Sequence, residues 1–168
     1  MPVKKICLCG LFSALITLCS WVSLPIGNQM FTLQTFGAFL ALGLLGGKWG
    51  SVSISVYLLL GAIGLPVFSG FRGGVGMLLG PNGGFLWGFL AAGLAYWGAH
   101  ALSKSKLLSM VFGLCVCYLF GSLWYHFLYL PEGGPGQIFA LCVLPYLLPD
   151  GIKLGLALFL AKRLKPFV

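Results

Sequence analysis

Charged side chains are scarce in this sequence, and acidic ones are nearly absent. Only 7% of the 168 residues are charged, and the acidic residues are Glu132 and Asp150 alone. A soluble domain carries roughly a quarter of its residues as charged side chains, whereas 60% of this chain is hydrophobic. The composition therefore excludes an ordinary solvated domain and indicates a membrane protein.

Groups that support catalysis or nucleotide binding are also missing. An intramembrane hydrolase or phosphotransferase needs paired carboxylates, a nucleophile with its base, or metal ligands, and Asp150 is the only carboxylate inside an apolar run. The segment LGLLGGKWG lacks the first glycine and the Ser or Thr of a phosphate loop. GGVGMLLG has the wrong spacing for a dinucleotide fingerprint. We therefore expect no enzyme and no cofactor.

Cysteines and histidines are few and poorly placed for a metal site. Two residues of a C-x-C pair, as at 7–9 and 115–117, point about 200° apart on a helix and cannot jointly hold a metal. His100 and His126 lie near the ends of different apolar runs, where packing or interfacial roles are expected. The cysteines are expected to pack as small hydrophobic side chains, with no metal bound.

Long apolar runs separated by turn residues predict an all-α, polytopic membrane protein with six transmembrane helices. Each run approaches the roughly 20 residues with which a helix crosses the hydrocarbon. Gly, Pro and Asn between the runs end the helices. The spans are expected at about 5–24, 31–47, 50–65, 83–101, 107–130 and 138–164.

The basic residues predict how the chain is oriented. Lys and Arg near helix ends are retained in the cytoplasm, and a cytoplasmic amino terminus places eight of the ten basic residues there, all but Arg72 and Lys153. Six spans return the carboxyl terminus to the same side. Lys4 and Lys5 precede a long run without a cleavage site, which predicts a retained helix and no signal peptide. The net charge of +8 does not indicate nucleic-acid binding, because no basic stripe interleaved with aromatics exists.

Asp150 and Lys153 stand inside the last apolar run and are the strongest candidates for a binding site. They occupy positions i and i+3 and share one helix face, and Pro149 fits the opening of a helix. A charged group within a span costs about 2.5–3.5 kcal/mol on insertion scales, so it requires a partner or a function. The pair is either a self-satisfied ion pair or an acceptor and donor for a polar solute.

A glycine-rich connection between residues 64 and 88 supplies further candidates, away from the lysines. GPNGGF places Gly83 and Gly84 at the start of a helix, where free N–H groups and the helix dipole favour an anion. Arg72, earlier in the connection, is either a solvated loop residue or part of the same site. The connection resembles a lid with a few polar groups over an apolar cavity.

Three segments resemble the BioY family, the biotin-specific substrate-capture components of energy-coupling-factor (ECF) transporters. They are FTLQTFGAFLALGLLGG, YLLLGAIGLPVFSGFRGGVGMLLGPNGGFLWGF and LPYLLPDGIKLGLA. Asn82 departs from the family pattern, which usually has Thr there, although Asn can still donate and accept. The resemblance covers nearly the whole chain. It implies a six-helix, multi-pass protein of the cell (inner, cytoplasmic) membrane, with residues 1–168 forming a single substrate-binding domain.

The resemblance also implies partners. Biotin is the ligand, and a transmembrane coupling (T) protein and two ATP-binding subunits complete the transporter. ATP is hydrolysed by those subunits only. Gly10 and Ala14 match the family's small-xxx-small spacing, on which the coupling protein docks, although the same spacing also serves ordinary helix packing.

Biotin's chemistry matches the candidate residues. Asp150 is the natural acceptor for the two ureido N–H groups, and Lys153 donates either to the ureido carbonyl or to the carboxylate. The candidates for binding the carboxylate are Arg72, Asn82 and the backbone amides of Gly83 and Gly84. The pocket is expected to be lined by Gln34, Phe68, Phe85, Trp87 and Tyr146, although packing alone also explains each aromatic residue.

Two other functions fit the sequence. A capture component for another vitamin, such as riboflavin or thiamine, keeps the architecture and changes only the pocket. A structural subunit of a membrane complex binds no small ligand, and its Asp150–Lys153 pair is purely structural. Competition binding with several vitamins separates these alternatives.

Overall fold

Helices make up most of the computed structural model, which describes residues 2–26 and 29–167. Helix α1 (Pro2–Trp21) is followed by an antiparallel hairpin of β1 (Ser23–Ile26) and β2 (Gln29–Thr32). The remaining elements are α2 (Gln34–Ala62), α3 (Val75–Leu79), α4 (Gly83–Ser103), α5 (Lys106–Tyr129), α6 (Pro135–Cys142), α7 (Leu144–Leu164) and a 3-10 turn (Lys165–Phe167). Among the described residues, five helices are long and apolar enough to cross a membrane: α1, α2, α4, α5 and α7. An all-α membrane protein is thereby confirmed, with a short hairpin added.

Helix α2 reverses its direction at Gly46. The φ and ψ angles there are 80° and 172°, outside the helical region and in a conformation that favours glycine. Nε2 of Gln34 donates to the Tyr57 hydroxyl at 2.9 Å, whereas a continuous helix would separate residues 23 positions apart by about 35 Å. Helix α2 therefore consists of two antiparallel arms, 34–45 and 47–62. They occupy the positions of two predicted spans.

The carboxyl-terminal apolar run also differs from the prediction of one helix over 138–164. It is divided at Val143, whose φ and ψ angles are −121° and −53°. Pro145 follows and has no N–H with which to continue the hydrogen bonding of α6, but it suits the first turn of a new helix. Helix α7 therefore starts independently.

Glycines allow α4 and α5 to pack closely. A Cβ atom added to Gly84 would lie 2.3 Å from the Trp124 side chain, and one added to Gly121 would lie 2.5 Å from the ring of Phe85. Small residues permit such approach between membrane helices. The antiparallel contact of α4 and α5 brings part of α5 to the cavity described below.

The two ends of the bundle differ in character. The ammonium groups of Lys5 and Lys48 lie 5.6 Å and 5.8 Å from the centre of the Trp49 ring, so the start of α1 and the reversal of α2 share one end, which we call the lysine end. At the opposite end the hairpin follows α1, and Nε1 of Trp21 donates to the carbonyl of Pro66 at 2.8 Å. This end contains the 63–82 connection.

Candidate functional site

The centre of the candidate site is a buried ion pair on α7. Nζ of Lys153 donates to Oδ1 of Asp150 at 2.8 Å, and only 12% and 5% of the two side chains are exposed. The i, i+3 spacing places both on one helix face, as the sequence predicts. Burying two charges is favourable only where further hydrogen bonds satisfy them, so their other partners matter.

Tyr118 supplies the second partner of the carboxylate. Its hydroxyl, on α5, donates to Oδ2 of Asp150 at 2.8 Å. Each carboxylate oxygen therefore has one donor, and each retains capacity to accept another, because a carboxylate offers about four acceptor positions. The Tyr118 contact fixes the orientation of Asp150.

Lys153 also connects α7 to the hairpin. Its Nζ donates to the backbone carbonyl of Thr32, the last residue of β2, at 2.8 Å. An ammonium group has three donors, and Asp150 and Thr32 use two of them. Lys153 therefore links the hairpin to α7, the helix on which the ion pair lies.

A cavity of about 70 Å³ opens beside this pair. A single water needs about 10–15 Å³ of such space, so the cavity has room for several ligand atoms. Its walls are mainly apolar, with polar groups at a few points, which is typical of small-molecule sites. It is lined by Thr32, Gln34, Thr35, Phe68, Ser69, Met77, Asn82, Phe85, Leu86, Phe89, Leu114, Cys117, Tyr118, Tyr146, Asp150 and Lys153.

Aromatic rings close part of the cavity wall. Tyr146 stacks on Phe31 of the hairpin, with ring centroids 4.7 Å apart, and lies 6.1 Å from the ring of Phe85. On the α2 side, Phe68 contacts Tyr57 edge-on at 5.5 Å. These rings provide a firm apolar surface beside the ion pair.

The structure brings most of the predicted site residues together. Those that line the cavity are Gln34, Phe68, Asn82, Phe85, Tyr146, Asp150 and Lys153. Those outside its lining are Arg72, Gly83, Gly84 and Trp87.

Three of the predicted residues outside the lining lie in the outer connection or at the start of α4: Arg72, Gly83 and Gly84. Arg72 is exposed, and its backbone pairs with Phe68 in an isolated bridge. The expectation of a free amide at Gly83 is contradicted, because its N–H donates to the carbonyl of Gly80 at 2.9 Å. Gly84 packs against Trp124. Asn82 is the N-cap residue of α4; its side chain makes no capping hydrogen bond, and the residue lines the cavity.

Sequence reasoning missed several lining residues, above all Tyr118. A tyrosine inside an apolar span is a detectable signal, because a buried hydroxyl usually finds a hydrogen-bond partner. The sequence gives no indication, however, that this partner is Asp150. Nothing in the sequence indicates that the main-chain carbonyl of Thr32 accepts a hydrogen bond from Lys153.

The cysteines are small side chains that are either buried or exposed on the helix surface. Cys7 and Cys115 are exposed whereas Cys9 and Cys117 are buried, so each C-x-C pair points in two directions, as predicted. Within residues 2–26 and 29–167, no group of three or more His, Cys, Asp or Glu side chains could hold a metal ion.

Gly10 and Ala14 lie together on an open face of α1. Both are exposed, and a Cβ added to Gly10 would meet nothing within 4 Å. Contacts inside the described chain therefore do not explain this small-residue pair.

Comparison with known proteins identifies relatives of nearly equal length. The model of the BioY family matches residues 1–168. The chain is 39% identical to the probable biotin transporter BioY of Pyrococcus horikoshii, over 98% of both chains. It is 38% identical to the biotin transporter BioY of Thermotoga maritima, over 97% of this chain and 96% of the relative.

Two solved structures share the fold. The crystal structure of the S-component for biotin from an ECF-type ABC transporter matches with a TM-score of 0.87 and 27% identity, over 98% of this chain and 92% of that one. The S component of a bacterial ECF transporter matches with a TM-score of 0.60 and 18% identity, over 99% and 98% of the chains, which supports the fold alone. With the family model matching from end to end, the chain belongs to the BioY family.

Proposed function

We propose that this chain captures biotin at the membrane as the substrate-specific S component of an ECF-type ABC transporter. The observation that carries the proposal is the buried Asp150 carboxylate, which faces a largely apolar cavity in a chain of the BioY family. Its relatives are named biotin transporters. The function is therefore transport and not catalysis.

The ureido ring of biotin is assigned to the Asp150–Lys153 pair. The ring has two N–H donors, and the Asp150 oxygens retain acceptor capacity beyond their bonds to Tyr118 and Lys153. The third donor of Lys153 serves the ureido carbonyl. A ligand that lacks this donor and acceptor pattern would leave buried polar groups unpaired, which is costly.

The remaining parts of biotin are assigned to the apolar walls and the outer edge. The thiophane ring and valeryl chain contact Phe68, Phe85 and Tyr146, which line the cavity. Asn82, exposed at the cavity edge, binds the carboxylate. Arg72 lies outside the lining in this structure, so its contribution requires the 63–82 connection to move inward.

The two arms of α2 are proposed to cross the membrane separately. With α1, α4, α5 and α7, they give six crossings and leave both termini on the lysine end. That end is cytoplasmic, because Lys and Arg near helix ends are retained there. The chain is thus a multi-pass protein of the cell membrane, and its cavity is loaded from outside.

Energy for uptake is proposed to come from partners. A transmembrane coupling protein docks on the open face formed by Gly10 and Ala14, where small residues allow close helix approach. Two ATP-binding subunits hydrolyse ATP. The chain itself contributes ligand capture and needs no cofactor.

The proposal is tested by uptake of radiolabelled biotin in a bacterial host that lacks its own biotin transporter. The host carries the coupling protein and the ATP-binding subunits together with this chain or its Asp150→Asn variant. We expect biotin uptake with the unaltered chain. Uptake should be strongly reduced with the variant when both proteins are present in the membrane at equal levels. Equal uptake with and without the chain would refute the function.

A further inference from the structure

Three lysines converge where α2, α5 and α7 meet at the lysine end. Nζ of Lys106, the first residue of α5, donates to the carbonyl of Gly43 in α2 at 3.0 Å. Helix α7 approaches the same glycine, because a Cβ added there would lie 2.9 Å from Cβ of Ala161. Lys162 follows Ala161 directly in the last turn of α7, and Lys165, three positions later, begins the 3-10 turn at the same end. We call Lys106, Lys162 and Lys165 the lysine cluster.

The lysine cluster has no ion-pair partner within the described chain. Asp150 precedes Lys162 by 12 positions on α7, a distance of about 18 Å along a helix, and it already pairs with Lys153. Glu132 lies beyond the far end of α5, more than about 30 Å along the helix from Lys106. The half-buried Lys106 contacts a neutral carbonyl. Among residues 2–26 and 29–167, therefore, no acidic side chain neutralises the lysine cluster.

We propose that the lysine cluster binds the phosphate of an anionic phospholipid head group. Its members lie at the ends of membrane-length helices, the depth at which head groups lie, and basic pockets between transmembrane helices bind such groups. Leucines beside the lysines are open to lipid: Leu107 is 49% exposed and Leu164 is 38% exposed. An apolar rim suits a phosphate that carries acyl chains better than a soluble ion. The site is separate from the biotin cavity.

Thermal unfolding of the purified full chain in mild detergent tests the site. Added phosphatidylglycerol is expected to raise the unfolding temperature by roughly 4 °C or more, whereas phosphatidylcholine raises it little. The double variant Lys162→Gln/Lys165→Gln is expected to lose this gain. The control variant Lys4→Gln/Lys5→Gln removes the same amount of charge from α1 and is expected to retain the gain in unfolding temperature. If phosphatidylglycerol raised the unfolding temperature of both variants equally, the effect would be nonspecific electrostatic attraction, and the proposed site would be wrong.

Soluble phosphate compounds test whether the lysine cluster prefers a lipid head group to a free phosphate ion. Inorganic phosphate and glycerol phosphate at matched concentration are expected to give no comparable shift. A shift equal to that of the lipid would overturn the lipid assignment.

Native mass spectrometry provides a second readout if the double variant unfolds. Phosphatidylglycerol adducts are expected to persist on the unaltered chain and to fall about tenfold on Lys106→Gln. Unchanged adducts on this variant would contradict the proposal. Biotin affinity measured on the same samples is expected to stay the same, which separates this test from that of the transport function.

Discussion

The hydroxyl of Tyr118 donates to one oxygen of Asp150, while Nζ of Lys153 donates to the other, each at 2.8 Å. A carboxylate held on both oxygens cannot rotate without breaking one of these bonds. The remaining acceptor positions are therefore oriented before a ligand arrives. Such preorganisation reduces the free-energy cost of binding.

Tyr118→Phe removes the hydroxyl and keeps the ring. Because Asp150 then loses one of its two donors, we expect the dissociation constant for biotin to rise about threefold to tenfold, or roughly 0.5–1.5 kcal/mol. Isothermal titration of the purified protein measures it. Tyr125→Phe, on the same helix but outside the cavity lining, is the control and should bind normally. If both variants bound biotin with equal affinity, the Tyr118 hydroxyl would have no role in biotin binding.

Asp150→Asn keeps the shape of the side chain and removes its charge. Biotin binding is expected to weaken by about 1.5–3 kcal/mol, the scale of a hydrogen bond to a charged group. Titration of a variant with an unchanged unfolding temperature checks this. Unchanged affinity would exclude Asp150 as the ureido acceptor.

A purely structural ion pair would respond differently to replacement of both partners. Asp150→Leu with Lys153→Met exchanges the pair for apolar groups, which a buried ion pair often tolerates without loss of stability. We expect a folded protein that no longer binds biotin. Retained binding would show that the pair has no ligand role.

Gly10→Leu with Ala14→Leu tests the coupling face. Both residues are exposed, and Gly10 has open space around it, so the isolated chain is expected to fold and bind biotin normally. Co-purification with the coupling protein and ATP-dependent uptake are expected to be lost. Normal uptake with normal complex recovery would place docking elsewhere.

Gly50→Ala tests the reversal of α2. A Cβ atom at Gly50 would lie 2.7 Å from Cα of Leu42 in the other arm, so the arms must separate. We expect a loss of roughly 1–3 kcal/mol in the free energy of unfolding, typical of overpacking. Gly155→Ala in α7, where a Cβ would meet nothing within 4 Å, is the matched control. A Gly50 variant as stable as this control would contradict the close contact.

Local sequence patterns predicted the structural features that are determined by residues close together in the chain. Apolar runs indicated the helices, and the i, i+3 spacing placed Asp150 beside Lys153. The expected spans at 31–47 and 50–65 placed a break between them, and the structure has a reversal at Gly46. Each of these features follows from helix periodicity or from glycine's conformational freedom.

Contacts between distant segments, and the geometry of two local turns, escaped prediction. Tyr118 meets Asp150 only through the packing register of α5 and α7, which no single run of sequence contains. The amide of Gly83 was expected to be free, but the turn before α4 brings the carbonyl of Gly80 to it. The hairpin lies in a short segment that contains Pro25 and offers little strand periodicity. Register and turn geometry, which depend on tertiary packing, account for these differences.

Titration of biotin into the purified, isolated chain tests whether the chain captures biotin by itself. We predict saturable binding of one biotin per chain that a large excess of riboflavin or thiamine does not displace. The Asp150→Asn variant, titrated in parallel, should bind more weakly. A folded chain that shows no saturable binding of biotin, or from which another vitamin displaces biotin, would contradict its proposed role as a biotin-specific component.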